Sequence, residues 1–205
     1  MLRPIRQEKT IVLKRRMFQA AACMLLASGA LAQTSSQHFA KDGLSFDYPA
    51  GWSMDESKSS GQMQYLMLGR DGYATIIVRE PRGLVDTPEK EAHAKQLIQD
   101  GFVDAWAKNF SDSGAKPERS TVPTEIAGGA AECTRLSASL SGEPGRVDVC
   151  WRLIEKRMVQ LAIVGSARTI TKTSPAWDAI RNSVKVEPPP QPKASPSPTP
   201  GKPLS

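Results

Sequence analysis

The sequence predicts an α+β domain: an antiparallel β-sheet with helices packed against it on one face. Three observations lead there. Short alternating segments cluster with other such segments rather than alternating with helices. A single long amphipathic stretch interrupts them near residue 90. A shorter one closes the pattern near residue 180. Strands grouped with strands form antiparallel layers, whereas strict strand–helix alternation would build a parallel sheet.

The first strand is expected where Leu44, Phe46 and Tyr48 alternate with Ser45 and Asp47, the period of a half-buried strand, with Pro49 ending it. Met63, Tyr65 and Met67 repeat the pattern, with Leu66 and Leu68 on the opposite face. Asp71-Gly72 supplies a hairpin turn into residues 74–79, which are rich in β-branched side chains. Residues 83–86 read as a loop.

Thr87 then caps a helix with Pro88 at its first position, and Glu89 and Glu91 complement the positive end of its dipole. Ala94, Ile98, Phe102 and Trp106, with Leu97 and Ala105 beside them, predict one continuous helix to about Asn109 with a single buried stripe. Gly101 inside it is a mild cost, unless it permits close approach to the sheet.

Four strands should follow the loop at 111–117. Residues 120–126 contain Pro123, which marks an edge or a bulge. Gly128-Gly129 turns the chain into residues 132–140, and the run 141–145 (Ser-Gly-Glu-Pro-Gly) is turn chemistry. Val147, Val149, Trp151 and Leu153 alternate on the partner strand. Lys156-Arg157 turns into residues 158–164, apolar enough for the centre of the sheet. Ser174-Pro175 opens a short closing helix with Trp177, Ile180 and Val184 at helical spacing.

Either side of this unit the composition changes. Lys14, Arg15 and Arg16 precede an apolar run at 17–31, and Ala30-Leu31-Ala32 gives the small-x-small pattern of a cleavage site. Residues 1–32 therefore read as a signal peptide, leaving an exported chain, periplasmic or secreted. The run is too short for a permanent membrane anchor, and no later segment would span a bilayer. Arg15-Arg16 also resembles the twin-arginine signal, although its flanking residues favour the ordinary route. Cys23 lies too early in the run for a lipidated terminus and reads as a passenger of the leader. Residues 33–37 form a short N-terminal segment, residues 38–186 the folded domain, and residues 187–205, with eight prolines in 19 positions, a disordered tail. The whole chain carries 27 Lys and Arg against 21 Asp and Glu, but six of those cations and one acid fall within residues 1–32. The remainder is nearly neutral, which removes the electrostatic case for nucleic-acid binding.

The opening from Phe39 to Trp52, and within it Phe46, Tyr48, Pro49, Gly51 and Trp52, resembles the start of the PsbP-like proteins. These are small α+β domains that share a fold with the Ran-interacting protein Mog and with bacterial exported relatives. The order of hairpin, long helix, antiparallel strands and closing helix fits. So does Ile180-Arg-Asn-Ser-Val184, similar to the ending of such domains. The resemblance covers residues 38–186. It implies the fold and an accessory or binding role, with no catalytic residues carried over. Tyr48 and Trp52 read as core and corner residues.

The residues themselves offer little chemistry. Cys133 and Cys150 lie on the two arms of the hairpin, on the same face and opposite Leu136 and Trp151. With Leu140 facing Val147 they would be offset by four residues, so the disulfide expected of an exported chain needs a tighter turn or a bulge at Gly145. His38 lies at the start of the domain and His93 on the helix surface. No Gly-x-Ser-x-Gly elbow, phosphate loop, calcium loop or metal-ligand spacing is present. The expectation is a non-catalytic binding or accessory protein of the cell envelope, without cofactor or metal, whose partner is a protein, a lipid or a cell-wall ligand. A structural surface spacer is the alternative, and a hydrolase using His93 ranks below both.

Overall fold

The computed structural model describes residues 35–140 and 142–188. The leader, its cleavage point, Cys23 and the tail from residue 189 onward lie outside the described residues.

Among the described residues ten strands form two antiparallel sheets. Strands β1 (Ser36–Lys41), β2 (Leu44–Pro49) and β10 (Lys185–Val186) make a small sheet in the order β1-β2-β10. The large sheet holds β3 (Ser53–Asp55), β4 (Met63–Gly69), β5 (Thr75–Pro81), β6 (Glu118–Ile126), β7 (Gly129–Leu140), β8 (Glu143–Ile154) and β9 (Arg157–Ser166), ordered β3-β4-β5-β9-β8-β7-β6. The antiparallel α+β expectation holds. Residues 158–164 fall in β9, the middle strand of seven, and all but Val164 are buried, as a strand covered on both faces must be. Pro123 sits in β6, the edge strand, where a missing donor breaks no ladder. Its register with Glu132 is unbroken, so no bulge is needed.

Three helical segments cover the large sheet: α1 (Pro88–Ala94), a π-helical turn (Lys95–Asp100) that continues into α2 (Gly101–Asp112), and α3 (Ala167–Ser183). They do not share one face, which corrects the expected layering. Alternation along β9 shows why. Leu161 and Ile163 join Phe46, Leu66, Cys150, Ile170 and Ile180 in a core beneath α3 and the small sheet. Ala162 joins Ile77, Val103, Phe110, Val147 and Val149 in a second core beneath α2. The sheet is sandwiched, with a buried cluster on either side.

Thr87 caps α1 as expected, its hydroxyl accepting from the Lys90 amide at 3.3 Å, with Pro88 at the first position. The continuous helix does not form. The Gly101 amide donates to the Gln96 carbonyl five residues back, and this wider turn shifts the inward stripe. Gln99, Val103 and Phe110 are buried, Phe102 and Trp106 are half-buried, and Leu97 is 58 % exposed. A side chain at Gly101 would meet the Gln96 carbonyl at 3.6 Å and nothing of the sheet, so this glycine serves no close approach.

The closing helix starts seven residues earlier than Ser174-Pro175 suggested. Ser166 caps it by accepting from the Thr169 amide, and Pro175 lies inside. The Thr171, Thr173 and Ser174 hydroxyls donate to the carbonyls of Ala167, Thr169 and Ile170, adding bonds around the site where proline removes one. Val184 caps the helix end and β10 follows it onto β2, where the Glu187 amide donates to the Gly43 carbonyl.

Three hairpins turn through two residues with positive φ: Asp42-Gly43, Ala127-Gly128 and Glu155-Lys156. Such turns match the twist of the strands they join. The last two sit one residue earlier than the glycine pair and the basic pair had suggested. Asp42-Gly43 joins β2 to β1, whose first residues belong to the segment assigned ahead of the domain.

Candidate functional site

The β7–β8 ladder pairs Leu140 with Glu143 rather than Val147, and no bulge forms at Gly145. Cys133 then stands directly across from Cys150, and the two are joined as a disulfide on the face beneath α3. The tighter register that the pairing demanded is the one that occurs. It is a structural staple: both cysteines are buried.

The histidines do not come together. His38 lies on β1 opposite Asp47, its Nδ1 2.6 Å from a carboxylate oxygen, and both are exposed. His93 is exposed on α1, with no hydrogen-bond partner for its ring among the described residues. Neither pairs with a serine or cysteine among the described residues. Among the described residues no group of three or more His, Cys, Asp or Glu is arranged to hold a metal ion. None of the described helices is long and apolar enough to cross a membrane.

The most distinctive feature is an open groove of about 400 Å³ between α1, the π turn and the loop that follows β5. Leu84, Val85, Leu97, Ile98 and Met158 form its walls, with Glu89, Lys90 and His93 along one rim. Leu84 and Leu97, the large hydrophobic side chains left exposed among the described residues, both open onto it. The loop is held by the Val85 amide on the Lys156 carbonyl at 2.7 Å, and Lys90 is anchored on Asp86 at 2.6 Å.

A buried polar network behind the groove ties the π turn to the sheet. Gln99 donates from the π turn to the Val149 carbonyl at 2.9 Å and accepts from Gln160 on β9 at 2.8 Å. Gln160 also donates to the Ile98 carbonyl at 3.0 Å. Arg79 donates to the Gln160 side-chain Oε1 at 2.6 Å and to the Ile98 carbonyl at 3.3 Å, its guanidinium 4.4 Å from the Phe102 ring centre. Burial lowers the pKa of Arg79 from its ordinary value, and the same burial raises that of Tyr65 beneath it. Sheet side chains thus satisfy the Ile98 carbonyl within the π turn, and the groove wall carrying Leu97 and Ile98 is clamped to the sheet.

Sequence periodicity placed His93 on this helix but missed the groove, because Leu97 was counted in the buried stripe. Gln160, a polar residue within the apolar run 158–164, was the readable signal, but spacing put Gln99 off the buried stripe and gave no hint that the two meet.

No family model matches the chain, and no curated protein matches it. Among solved structures, cyanobacterial PsbP (CyanoP) from Synechocystis sp. PCC 6803 is similar at 12 % identity, over 80 % of this chain and 99 % of that one, with a TM-score of 0.48. LpqN of Mycobacterium tuberculosis, described as involved in cell envelope biogenesis, is similar at 15 % identity over 75 % and 90 % of the two chains, with a TM-score of 0.44. Both likenesses concern the fold.

Proposed function

We propose that this is a non-catalytic exported accessory protein of the cell envelope, and that it holds the aliphatic chain of an envelope lipid in the groove between α1, the π turn and the loop after β5. The observation that carries this reading is the convergence of Leu84 and Leu97 on one apolar groove. Its volume falls in the range of small-molecule sites, and its rim supplies a few polar groups to orient a ligand. The leader pattern supports export, as does a disulfide formed between adjacent strands. His93, on the rim without an orienting partner among the described residues, is read as a rim contact rather than a general base.

The test is titration of the exported protein with an environment-sensitive apolar dye, 1-N-phenylnaphthylamine, followed by competition with a long-chain fatty acid. A saturable fluorescence rise that the fatty acid reverses is expected. Leu97→Glu, at an exposed position that cannot cost much folding energy, should weaken dye binding at least tenfold, the scale set by losing one buried leucine contact. Equal binding by wild type and Leu97→Glu would overturn the assignment.

A further inference from the structure

The opposite end of β5 carries a second surface, cationic rather than apolar. Tyr73 follows the β4–β5 turn, and a cation lies over its ring from each neighbouring element. The Lys172 ammonium of α3 is 4.0 Å from the ring centre and the Arg70 guanidinium 4.9 Å. Lys172 also donates to the Gly72 carbonyl at 3.4 Å, and Trp52 packs edge-on against Tyr73 at 5.5 Å. Arg168 stands one helical turn before Lys172 on α3. Arg70, Arg168 and Lys172 are all exposed, and none of the three has an ion-pair partner among the described residues. Asp71 at the hairpin tip is the acid within this turn.

The start of α3 makes the charge pattern telling. A helix N-terminus carries partial positive charge and favours acids in its first turn. Helix α1 follows that rule with Glu89 and Glu91, whereas α3 has no acid in its first turn and places Arg168 there. That arrangement costs helix stability and has no compensating carboxylate. We infer that this face docks the domain on an anionic phospholipid surface. Arg168 lies a helical turn from Lys172 and Arg70 comes from the β4–β5 turn, so the three cations belong to two elements and suit an array of headgroup phosphates better than a single small oxyanion. Tyr73, ordered by Trp52 and flanked by Arg70 and Lys172, provides an amphipathic ring at the same level.

This inference does not depend on the lipid groove, and dye binding at the groove serves as its internal control. The exported protein is co-sedimented with vesicles of mixed phosphatidylcholine and phosphatidylglycerol, and with pure phosphatidylcholine. Binding to the mixed vesicles alone, weakened by salt, is expected. Arg70→Gln with Lys172→Gln should lower it about twenty-five-fold, at about fivefold per cation near an anionic surface. The exchange Arg70→Lys with Lys172→Arg should retain it. Arg168→Glu provides the decisive split: vesicle binding falls, while the melting temperature rises because an acid now complements the helix start. A merely structural role for Arg168 would not separate the two readouts. Equal binding to neutral vesicles, undiminished binding by the variants, or competition by inorganic phosphate beyond that of chloride at equal ionic strength would each overturn the inference.

Discussion

The two faces of the large sheet are covered by different means. Beneath α3 and the small sheet the centre of the core is aliphatic and aromatic: Leu44, Phe46, Leu66, Leu161 and Ile180 are fully buried, and the Cys133–Cys150 disulfide lies among them. Beneath α1, the π turn and α2, apolar packing covers only the α2 half, through Val103 and Phe110. The other half rests on the amides of Gln99 and Gln160 and on Arg79. Apolar packing tolerates small shifts, but an amide network holds its parts at set distances. The face that leaves leucines exposed is the one held by the directional contacts, so the groove keeps its shape without being filled.

Truncation should expose that difference most strongly on the first face. Phe46 is fully buried and stacks on Phe39 with ring centres 5.1 Å apart. Phe46→Ala should cost about 3–5 kcal/mol, read as a lowered denaturation midpoint with unchanged slope. It should leave dye binding by the surviving folded fraction intact, since the groove lies across the sheet. A loss below 1 kcal/mol would mean that the small sheet is not part of the cooperative core.

On the second face the expected cost is smaller and the functional effect larger. Gln99→Ala removes the bridge between the π turn and the sheet, leaving the Val149 carbonyl and the Gln160 amide without that partner. About 1–3 kcal/mol should be lost, and dye affinity should fall with it because the wall carrying Leu97 is no longer fixed. A double-mutant cycle with Gln160→Ala should show coupling above 0.5 kcal/mol, in units that the cycle itself measures. Additive losses would show that the network is not a unit.

The same contrast governs what the sequence could reveal. Where burial is apolar and alternates, the reading was direct: the strands around Leu66 and Ile77, the continuous run of β9, and the proline of edge strand β6 all fell where periodicity put them. The strand β1 was missed although Asp42-Gly43 carries the same turn signal as Asp71-Gly72, because its residues, apart from Phe39, are exposed and show no alternation. The start of α3 was missed because Pro175 reads as a beginning, while Ser166, the true cap, follows directly on β9. The groove was hidden for a different reason. A π turn shifts the phase of a helix without changing its composition, so spacing alone turned Leu97 inward and left Gln99 unexplained. Likewise, the cysteine register depended on which residue faces Leu140, a choice that the run 141–145 leaves open.

The smallest expected effect lies at the rim of the first face, where its apolar core gives way to charge. Glu80 is fully buried and accepts from the Arg157 Nε at 2.5 Å, while Arg157 also donates to the Asp42 carbonyl at 3.2 Å beside the exit of β10. Burial raises the pKa of Glu80, and the Arg157 hydrogen bond and charge only partly oppose it. The sign follows from proton binding. Between the ordinary glutamate value and the raised one, the folded state holds a proton that the unfolded chain has already released. Stability contributed by Glu80 is therefore full below the ordinary value and falls as pH rises through that window. The exposed Asp55, Asp86 and Glu89, whose pKa values are lowered, act in the opposite direction and lose stability as pH falls. Subtraction isolates the buried group. Glu80→Gln, a neutral mimic of the protonated carboxyl, should lie near wild type below the window, and wild type should lose stability relative to it as pH rises through the window. Melting curves at several pH values across the acid range measure it. A wild type that holds level with Glu80→Gln or gains on it as pH rises would show that the Arg157 contact, rather than burial, sets the carboxyl's titration, making the rim of the first face an ordinary ion pair.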